Sequence, residues 1–229
     1  CGSCTMVING KVRQACTALV DSLEQPIVLE PMSKFPVVRD LQVDRSRMFE
    51  NLKKVKAWVE IDGTHDIGKG PIMSDKVRSQ RYALSECMSC GCCLEACPQF
   101  SLSNNFMGAS TFSQVRLFNL HPSGSMLKEE RLEAVMGEGG ITDCGNAQVC
   151  VEVCPKSIPL TESIADIGRQ TSLQILKNFC TLSPPLMNPL YSISFSKEIS
   201  RIFSHKLLLK FFHFSNLRQI NEMVLSIHV

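Results

Sequence analysis

The sequence predicts an α+β fold, in which a β-rich N-terminal part is followed by a helical part. Residues 1–45 contain short β-type runs on either side of an Asn9-Gly10 dipeptide, which is typical of a tight hairpin turn. After residue 45, apolar residues recur at helical spacing, and we expect their side chains in the core. The first of them are Met48, Leu52, Val55 and Trp58. With 229 residues, the chain is long enough for two small domains, 1–45 and 46–179.

Further helices are predicted between the cysteine clusters of the second part. Apolar periodicity places them near residues 77–90, 112–120, 127–137 and 161–178. Residues 60–76 are rich in Gly, Asp and Pro, and they predict a long surface loop instead.

The last 50 residues, 180–229, differ in composition from the rest of the chain. They contain no Gly, Ala or Asp, and they hold five Lys or Arg against two Glu. The residues that are missing or scarce share a first codon base, which favours an out-of-frame or non-coding origin for this segment. A basic amphipathic helix over residues 199–214, lying on a membrane surface, is the alternative. We therefore interpret 180–229 as an atypical tail, non-native or disordered.

The charge and the cysteine content of the chain limit the classes of protein to which it can belong. The net charge of +2 gives no argument for a nucleic-acid partner. No run approaches the roughly 18 apolar residues that span a bilayer. Cysteine is the outlier, with 12 residues, of which five fall between Cys87 and Cys97. So dense a cluster indicates metal ligands instead of disulfides.

The first cysteine set consists of Cys1, Cys4 and Cys16. Their spacing fits the last three ligands of the plant-type pattern C-x4-C-x2-C…C for a [2Fe–2S] cluster. The first ligand of that pattern would precede Cys1. We therefore expect the chain to be an N-terminally truncated fragment, with an incomplete [2Fe–2S] ligand set and without a normal [2Fe–2S] cluster. The alternative is a zinc half-site or plain buried cysteines.

The second set contains the bacterial ferredoxin run C-x2-C-x2-C-x3-C-P, which ends at Pro98. Its cysteines are Cys87, Cys90, Cys93 and Cys97. Cys92 breaks the spacing, and we expect it to be a small buried thiol outside the ligand set. In two-cluster proteins, the fourth cysteine of such a run binds the other cluster.

The third set, Cys144-x5-Cys150-x3-Cys154-Pro155, resembles a second run with one cysteine missing. Together the second and third sets supply seven thiolates, whereas two [4Fe–4S] clusters need eight. The count fits one [4Fe–4S] and one [3Fe–4S] cluster. With the fourth cysteines exchanged, the [4Fe–4S] ligands are Cys87, Cys90, Cys93 and Cys154. The [3Fe–4S] ligands are then Cys97, Cys144 and Cys150.

Three other classes of protein stay open on the residues alone. One is a soluble two-cluster electron carrier or a heterodisulfide-reductase-like subunit, although those usually repeat the full cysteine run twice. A zinc-binding interaction module is the second, and its metal content would distinguish it. The third is a non-functional product of a truncated gene.

The three cysteine sets together resemble the iron–sulfur subunit of succinate dehydrogenase and fumarate reductase. The segment Phe35-Pro36-Val37-Val38-Arg39-Asp40-Leu41-Gln42-Val43-Asp44 also resembles the family's connection between its two domains. The resemblance covers about residues 1–179. It implies a plant-type [2Fe–2S] domain of β-grasp fold, of which residues 1–45 are the last part, followed by a helical domain like that of bacterial ferredoxins.

The resemblance also implies a role in electron transfer, with no catalytic residue on this chain. A separate flavoprotein subunit with FAD oxidises succinate, and electrons pass through [2Fe–2S], [4Fe–4S] and [3Fe–4S] clusters to a quinone. The reverse flow reduces fumarate. The subunit is then expected on the cytoplasmic face of the cell membrane, bound peripherally to a membrane anchor.

Two departures from the family concern the quinone. Pro98 matches a family proline beside the quinone, so we expect it to contact that cofactor. Ubiquinone-reducing members carry a His at the position of Gly145 and a Trp shortly after the proline, where residues 99–102 contain none. These differences place the chain nearer to the menaquinone-linked branch, in which a cytochrome b anchor subunit accepts the electrons.

Overall fold

The computed structural model of the protein describes residues 2–60 and 72–181. Within these residues it contains five β-strands and seven α-helices. Cys1, most of the predicted loop at 60–76, and residues 182–229 of the predicted tail lie outside the described part of the chain.

The predicted hairpin is present as β1 (Thr5–Ile8) and β2 (Lys11–Gln14), paired antiparallel. Asn9 and Gly10 between them both have positive φ, at 49° and 73°, as a two-residue type I′ turn requires. A short strand, β3 (Leu29–Glu30), pairs antiparallel with the other edge of β1, which gives the order β2-β1-β3. This small sheet fixes the positions of Cys4 and Cys16 at one end of the hairpin.

A second antiparallel pair, β4 (Val37–Arg39) and β5 (Gln42–Val43), leads into the first helix, α1 (Ser46–Lys54). The Asp44 carboxylate accepts a 2.8 Å hydrogen bond from the backbone N–H of Ser46, so it satisfies a donor at the start of the helix. The change from strand to helix therefore falls where the hydrophobic pattern of the sequence changes.

Six further helices follow, and three of them lie close to their predicted positions. They are α2 (Asp75–Ser85), α3 (Cys92–Glu95), α4 (Ala109–Asn119), α5 (Lys128–Met136), α6 (Val149–Glu152) and α7 (Leu160–Thr181). The prediction of a helix through residue 90 was wrong at its end, because α2 stops at Ser85. Ser89 has a φ of 51°, which a right-handed helix does not allow, and the first cysteines of the second set therefore lie in a loop.

One hydrophobic core joins the segment before β4 to the helices. Met32 and Phe35 are buried together with residues of α3 and α4, and the rings of Phe35 and Phe100 lie 5.5 Å apart. The prediction that Trp58 is a core residue was wrong, because its side chain is 40% exposed. It lies beyond the end of α1, after Lys56 has turned the chain with a φ of 48°. None of the helices in the described residues is long and apolar enough to cross a bilayer.

Candidate iron–sulfur centres

Cys4 and Cys16 lie side by side at one end of the β1–β2 hairpin. Cys4 immediately precedes β1, and Cys16 lies in a single 3₁₀ turn after β2. The backbone N–H of Ala15 donates to the carbonyl of Cys4 across 3.0 Å. Hydrogen bonds from the backbone and the thiol of Cys16 lower the pKa of Cys4, and donation of that thiol proton raises the pKa of Cys16. The pair is thus already arranged as neighbouring ligands, while Cys1 lies outside the described residues.

Four of the predicted ligands line one recess in the helical part, which we call the four-thiol recess. Its cysteines are Cys87, Cys90, Cys93 and Cys154. Three of them belong to the second cysteine set and one to the third. Ser110 on α4, together with Ile158 and Leu160 near the start of α7, completes the wall. The fold therefore brings together the same four thiols that the exchange of fourth cysteines predicts.

The thiols of this recess differ in acidity. Burial raises the pKa of Cys87 and of Cys93. The thiol and backbone of Cys92 instead donate hydrogen bonds to Cys90 and lower its pKa to about 6. Cys92 is only 1% exposed, in agreement with its predicted role as a buried thiol. The thiolate is the form that binds metal, and Cys90 is deprotonated more readily than Cys87 or Cys93.

A second recess, the three-thiol recess, contains the other predicted ligands. Its cysteines are Cys97, Cys144 and Cys150. Ala147, Gln148 and Thr161 also line it. Burial is the main cause that raises the pKa of Cys144 and of Cys150, and the charge of Cys97 adds to it. Cys97 belongs to the second cysteine set and the other two to the third, so this recess also draws thiols from both sets.

The two short helices α3 and α6 give both runs the same local geometry. Each begins after a residue in the left-handed region, Gly91 with a φ of 89° and Gln148 with a φ of 62°. Each is followed by a Cys-Pro dipeptide, and α3 packs against α6. Proline lacks an N–H and has a fixed φ, so it directs the chain away from the cysteine.

This repeated geometry explains why thiols cross between the recesses. Cys93, within α3, lines the four-thiol recess, whereas Cys97, just beyond the end of α3, lines the three-thiol recess. In the other run, Cys150 within α6 lines the three-thiol recess and Cys154 lines the four-thiol recess. Four residues of helix rise about 6 Å, so a single helical turn separates the two sites.

A buried carboxylate holds α3 in place, and the sequence reasoning missed it. Glu95 is 8% exposed and accepts hydrogen bonds from the backbone and hydroxyl of Ser33 and from the backbone N–H of Lys34, at 2.6–3.0 Å. The ammonium of Lys34 donates to the carbonyl of Cys97. Glu95 is the single charged residue of the run from Cys87 to Pro98, and this was the sign of the contact that the sequence offered.

The predicted quinone residue Pro98 is exposed and lies directly beyond the three-thiol recess. Next to it, Gln99 lies against Gly145: a Cβ added at Gly145 would approach the Gln99 Nε2 to 2.6 Å. A side chain at position 145 would therefore require Gln99 to move. Gln99 thus fills the space beside Cys144 that a larger residue at 145 would take.

The chemistry of the two linings fits iron–sulfur clusters. Both contain cysteine thiols without any His, Asp or Glu, and soft thiolate sets of this kind select iron–sulfur clusters or zinc. Across residues 2–60 and 72–181, no group of three or more His, Cys, Asp or Glu side chains is arranged to hold a single metal ion. Four of the thiols line one recess and three line the other.

Comparisons with known proteins agree with this chemistry. Residues 1–50 match the model of the 2Fe-2S iron-sulfur cluster binding domain, and residues 83–158 match the 4Fe-4S dicluster domain. The chain is 65% identical over 179 residues to the succinate dehydrogenase iron-sulfur subunit of Bacillus subtilis, covering 78% of this chain and 71% of that protein. It is 32% identical over 173 residues to the fumarate reductase iron-sulfur subunit of Wolinella succinogenes, covering 74% and 72%.

A solved structure shares the fold. A chain of the Mycobacterium smegmatis Sdh1 complex in the apo form aligns with a TM-score of 0.66 at 22% identity, covering 81% of this chain and 76% of that chain. The predicted α+β fold, with a [2Fe–2S]-type domain before a two-cluster domain, is thereby confirmed. The cysteine sets, the domain matches and the similar subunits all lead to one conclusion: this chain belongs to the family of iron–sulfur electron-transfer subunits of succinate dehydrogenase and fumarate reductase.

Proposed function

We propose that each recess holds one cluster and that the two runs exchange their fourth cysteines. In this assignment the [4Fe–4S] ligands are Cys87, Cys90, Cys93 and Cys154, and the [3Fe–4S] ligands are Cys97, Cys144 and Cys150. Cys1, Cys4 and Cys16 are assigned as three of the four thiolate ligands that a plant-type [2Fe–2S] cluster needs. The observation that supports the exchange is that each recess is lined by cysteines from both runs.

When bound, the three clusters supply one-electron carriers of different reduction potential. The chain's own residues hold these carriers close together and exclude water between them. Leu94 in α3 is 1% exposed and lies in sequence between Cys93 and Cys97, which line different recesses. The buried Glu95 carboxylate ties the same helix to Ser33 through part-buried hydrogen bonds, which help to fix the position of α3 between the two recesses.

We also propose the partners and the location of the chain. A FAD-containing flavoprotein subunit lies on the side of the [2Fe–2S] domain, and a membrane cytochrome b subunit with a quinone, menaquinone in this branch, lies near Pro98. The chain then sits peripherally at the cytoplasmic face of the cell membrane. Half-exposed apolar residues near the end of α7 offer surface for such contacts. They are Leu173 and Leu176.

The ligand exchange is tested on the anaerobically reconstituted chain by iron and labile sulfide analysis with EPR. A [3Fe–4S] cluster is paramagnetic when oxidised, and a [4Fe–4S] cluster becomes so on reduction. We expect Cys154→Ser to lose the [4Fe–4S] component of the reduced-state signal, to which a reduced [2Fe–2S] cluster also contributes, although Cys154 belongs to the third set. We expect Cys97→Ser to lose the oxidised-state signal, although Cys97 belongs to the second set.

Cys92→Ser is the matched control, because it makes the same substitution at a cysteine of the same run that lies outside both ligand sets, and the serine hydroxyl keeps a donor toward Cys90. It should retain both signals and the full iron content. If Cys154→Ser removed the oxidised-state signal and Cys97→Ser the reduced-state signal, each run would bind its own cluster and the exchange would be wrong.

A further inference from the structure

Arg45 connects two cluster-binding loops that are far apart in the sequence. Its Nη1 donates to the carbonyl of Gly2 at 3.0 Å and to the carbonyl of Ser89 at 3.1 Å. Gly2 lies beside Cys4 of the first cysteine set, and Ser89 precedes Cys90 of the four-thiol recess. A single guanidinium group, half-buried at the start of α1, therefore links the [2Fe–2S] loop to the loop that carries Cys90.

The two loops are in direct contact at this point. Gly2 has a φ of 75°, and a Cβ added there would approach the Cα of Cys90 to 2.7 Å and the Nη1 of Arg45 to 2.9 Å. Only glycine permits so close an approach in this backbone conformation. Ser89 also lies in the left-handed region, with a φ of 51°, and its carbonyl is the group that Arg45 holds.

The positive charge of Arg45 is not neutralised by a carboxylate in the described residues. Its neighbour Asp44 uses its carboxylate to accept from the backbone and hydroxyl of Ser46. No ion pair joins Arg45 to any Asp or Glu within residues 2–60 and 72–181.

We propose that Arg45 is a positioning residue that clamps the two cluster loops together and raises the reduction potential of the site held by Cys90. The proposal rests on the ligand assignment given above. One-electron reduction adds one negative charge to that site, and in a redox titration the electron comes from dithionite. A nearby positive charge stabilises the reduced form more than the oxidised form, so the loss of Arg45 must lower the potential.

The test is an EPR-monitored redox titration of the reduced-state [4Fe–4S] signal in the reconstituted full chain. We expect Arg45→Gln to weaken one-electron reduction by up to about tenfold, which is about 59 mV for a one-electron couple. Arg45→Lys keeps the charge, but an ammonium lacks the planar fork of guanidinium. We expect a smaller but measurable fall for this variant.

Arg39→Gln is the control, because it removes the same charge from a side chain that is 83% exposed and paired with Asp40. It should titrate with the potential of the unsubstituted chain. If Arg45→Gln holds full iron and titrates unchanged, the proposal is wrong; if that variant loses iron, an unchanged potential of Arg45→Lys overturns it. The signals of the unsubstituted chain test the cluster assignment separately, so failure of that assignment is recognised before any variant is compared.

Discussion

Arg131 is fully buried and holds several pieces of the chain together. Its guanidinium donates to the carbonyls of Lys56 and Trp58, to the carbonyl of Gly124, and to the side-chain oxygen of Asn119. Burial lowers the pKa of Arg131, yet arginine remains charged at neutral pH. The four acceptors therefore stabilise the buried positive charge. The same contacts connect the segment after α1 to α4 and α5.

We expect Arg131→Ala to destabilise the protein by about 3 kcal/mol, because three carbonyls, one of them buried, lose a charged donor and the fully buried side chain is removed. For a chain of this size, that corresponds to a melting temperature lower by about 6–12 °C. Differential scanning calorimetry under anaerobic conditions, at one scan rate, measures the change.

Arg78→Ala is the control for this substitution, because Arg78 is 62% exposed and forms only a surface ion pair with Asp75. Exposed pairs of this kind contribute about 0–1 kcal/mol, so the control should melt close to the unsubstituted protein. A melting temperature of Arg131→Ala as high as that of the control would show that water replaces the lost donor.

Glycines have different roles in different elements of this fold. Gly139 lies in the turn after α5 with a φ of 74°, and an added Cβ would meet the backbone oxygen of Asn105 at 1.9 Å. The carbonyl of Gly139 also accepts from the backbone N–H of Met107. Gly168, inside α7, has no atom within 4 Å of such a Cβ. The first glycine is therefore required by packing, whereas the second only lowers the helix propensity of α7.

We expect opposite effects from the same substitution at these two positions. Gly168→Ala should stabilise the protein by about 0.5–1 kcal/mol, because alanine favours the helix and meets open space. Gly139→Ala should destabilise it by more than about 2 kcal/mol, since a rigid backbone atom obstructs the Cβ and a positive φ disfavours alanine. Melting temperatures of both variants test the contrast, and a stabilised Gly139→Ala would mean that the turn can shift away from Asn105.

Some helices and turns of this fold can be predicted from the sequence, and others cannot. Hydrophobic periodicity located α4, α5 and α7, and the Asn9-Gly10 dipeptide located the hairpin, because these are local properties. The end of α2 was missed because the cysteine loop interrupts a helical pattern. The roles of Arg45, Lys34 and Glu95 depend on contacts between segments about 40 to 60 residues apart, and no local pattern reveals such contacts.

At the scale of the whole molecule, the proposed assignment makes the number of thiols at each recess decide which cluster that recess holds. Cysteine spacing alone predicted both groups of thiols, because ligand spacing is tightly constrained by cluster chemistry. The three-thiol recess differs from its counterpart by one ligand. In a complete C-x2-C-x2-C run through Cys144 and Cys150, the missing cysteine would stand at position 147, and Ala147 does line this recess.

We therefore expect Ala147→Cys to supply the eighth thiolate and to convert the [3Fe–4S] site into a [4Fe–4S] site. The oxidised-state EPR signal should disappear, and the iron content of the reconstituted chain should rise by one per molecule. Ala147→Val, which changes the volume without adding a ligand, should keep the oxidised-state signal. If Ala147→Cys retained that signal at full intensity, the new thiol would not reach the open corner of the cluster. The backbone at Gln148, which is in the left-handed region, would then orient the side chain at position 147 away from the recess. The two cysteine runs would therefore differ in local geometry at this residue.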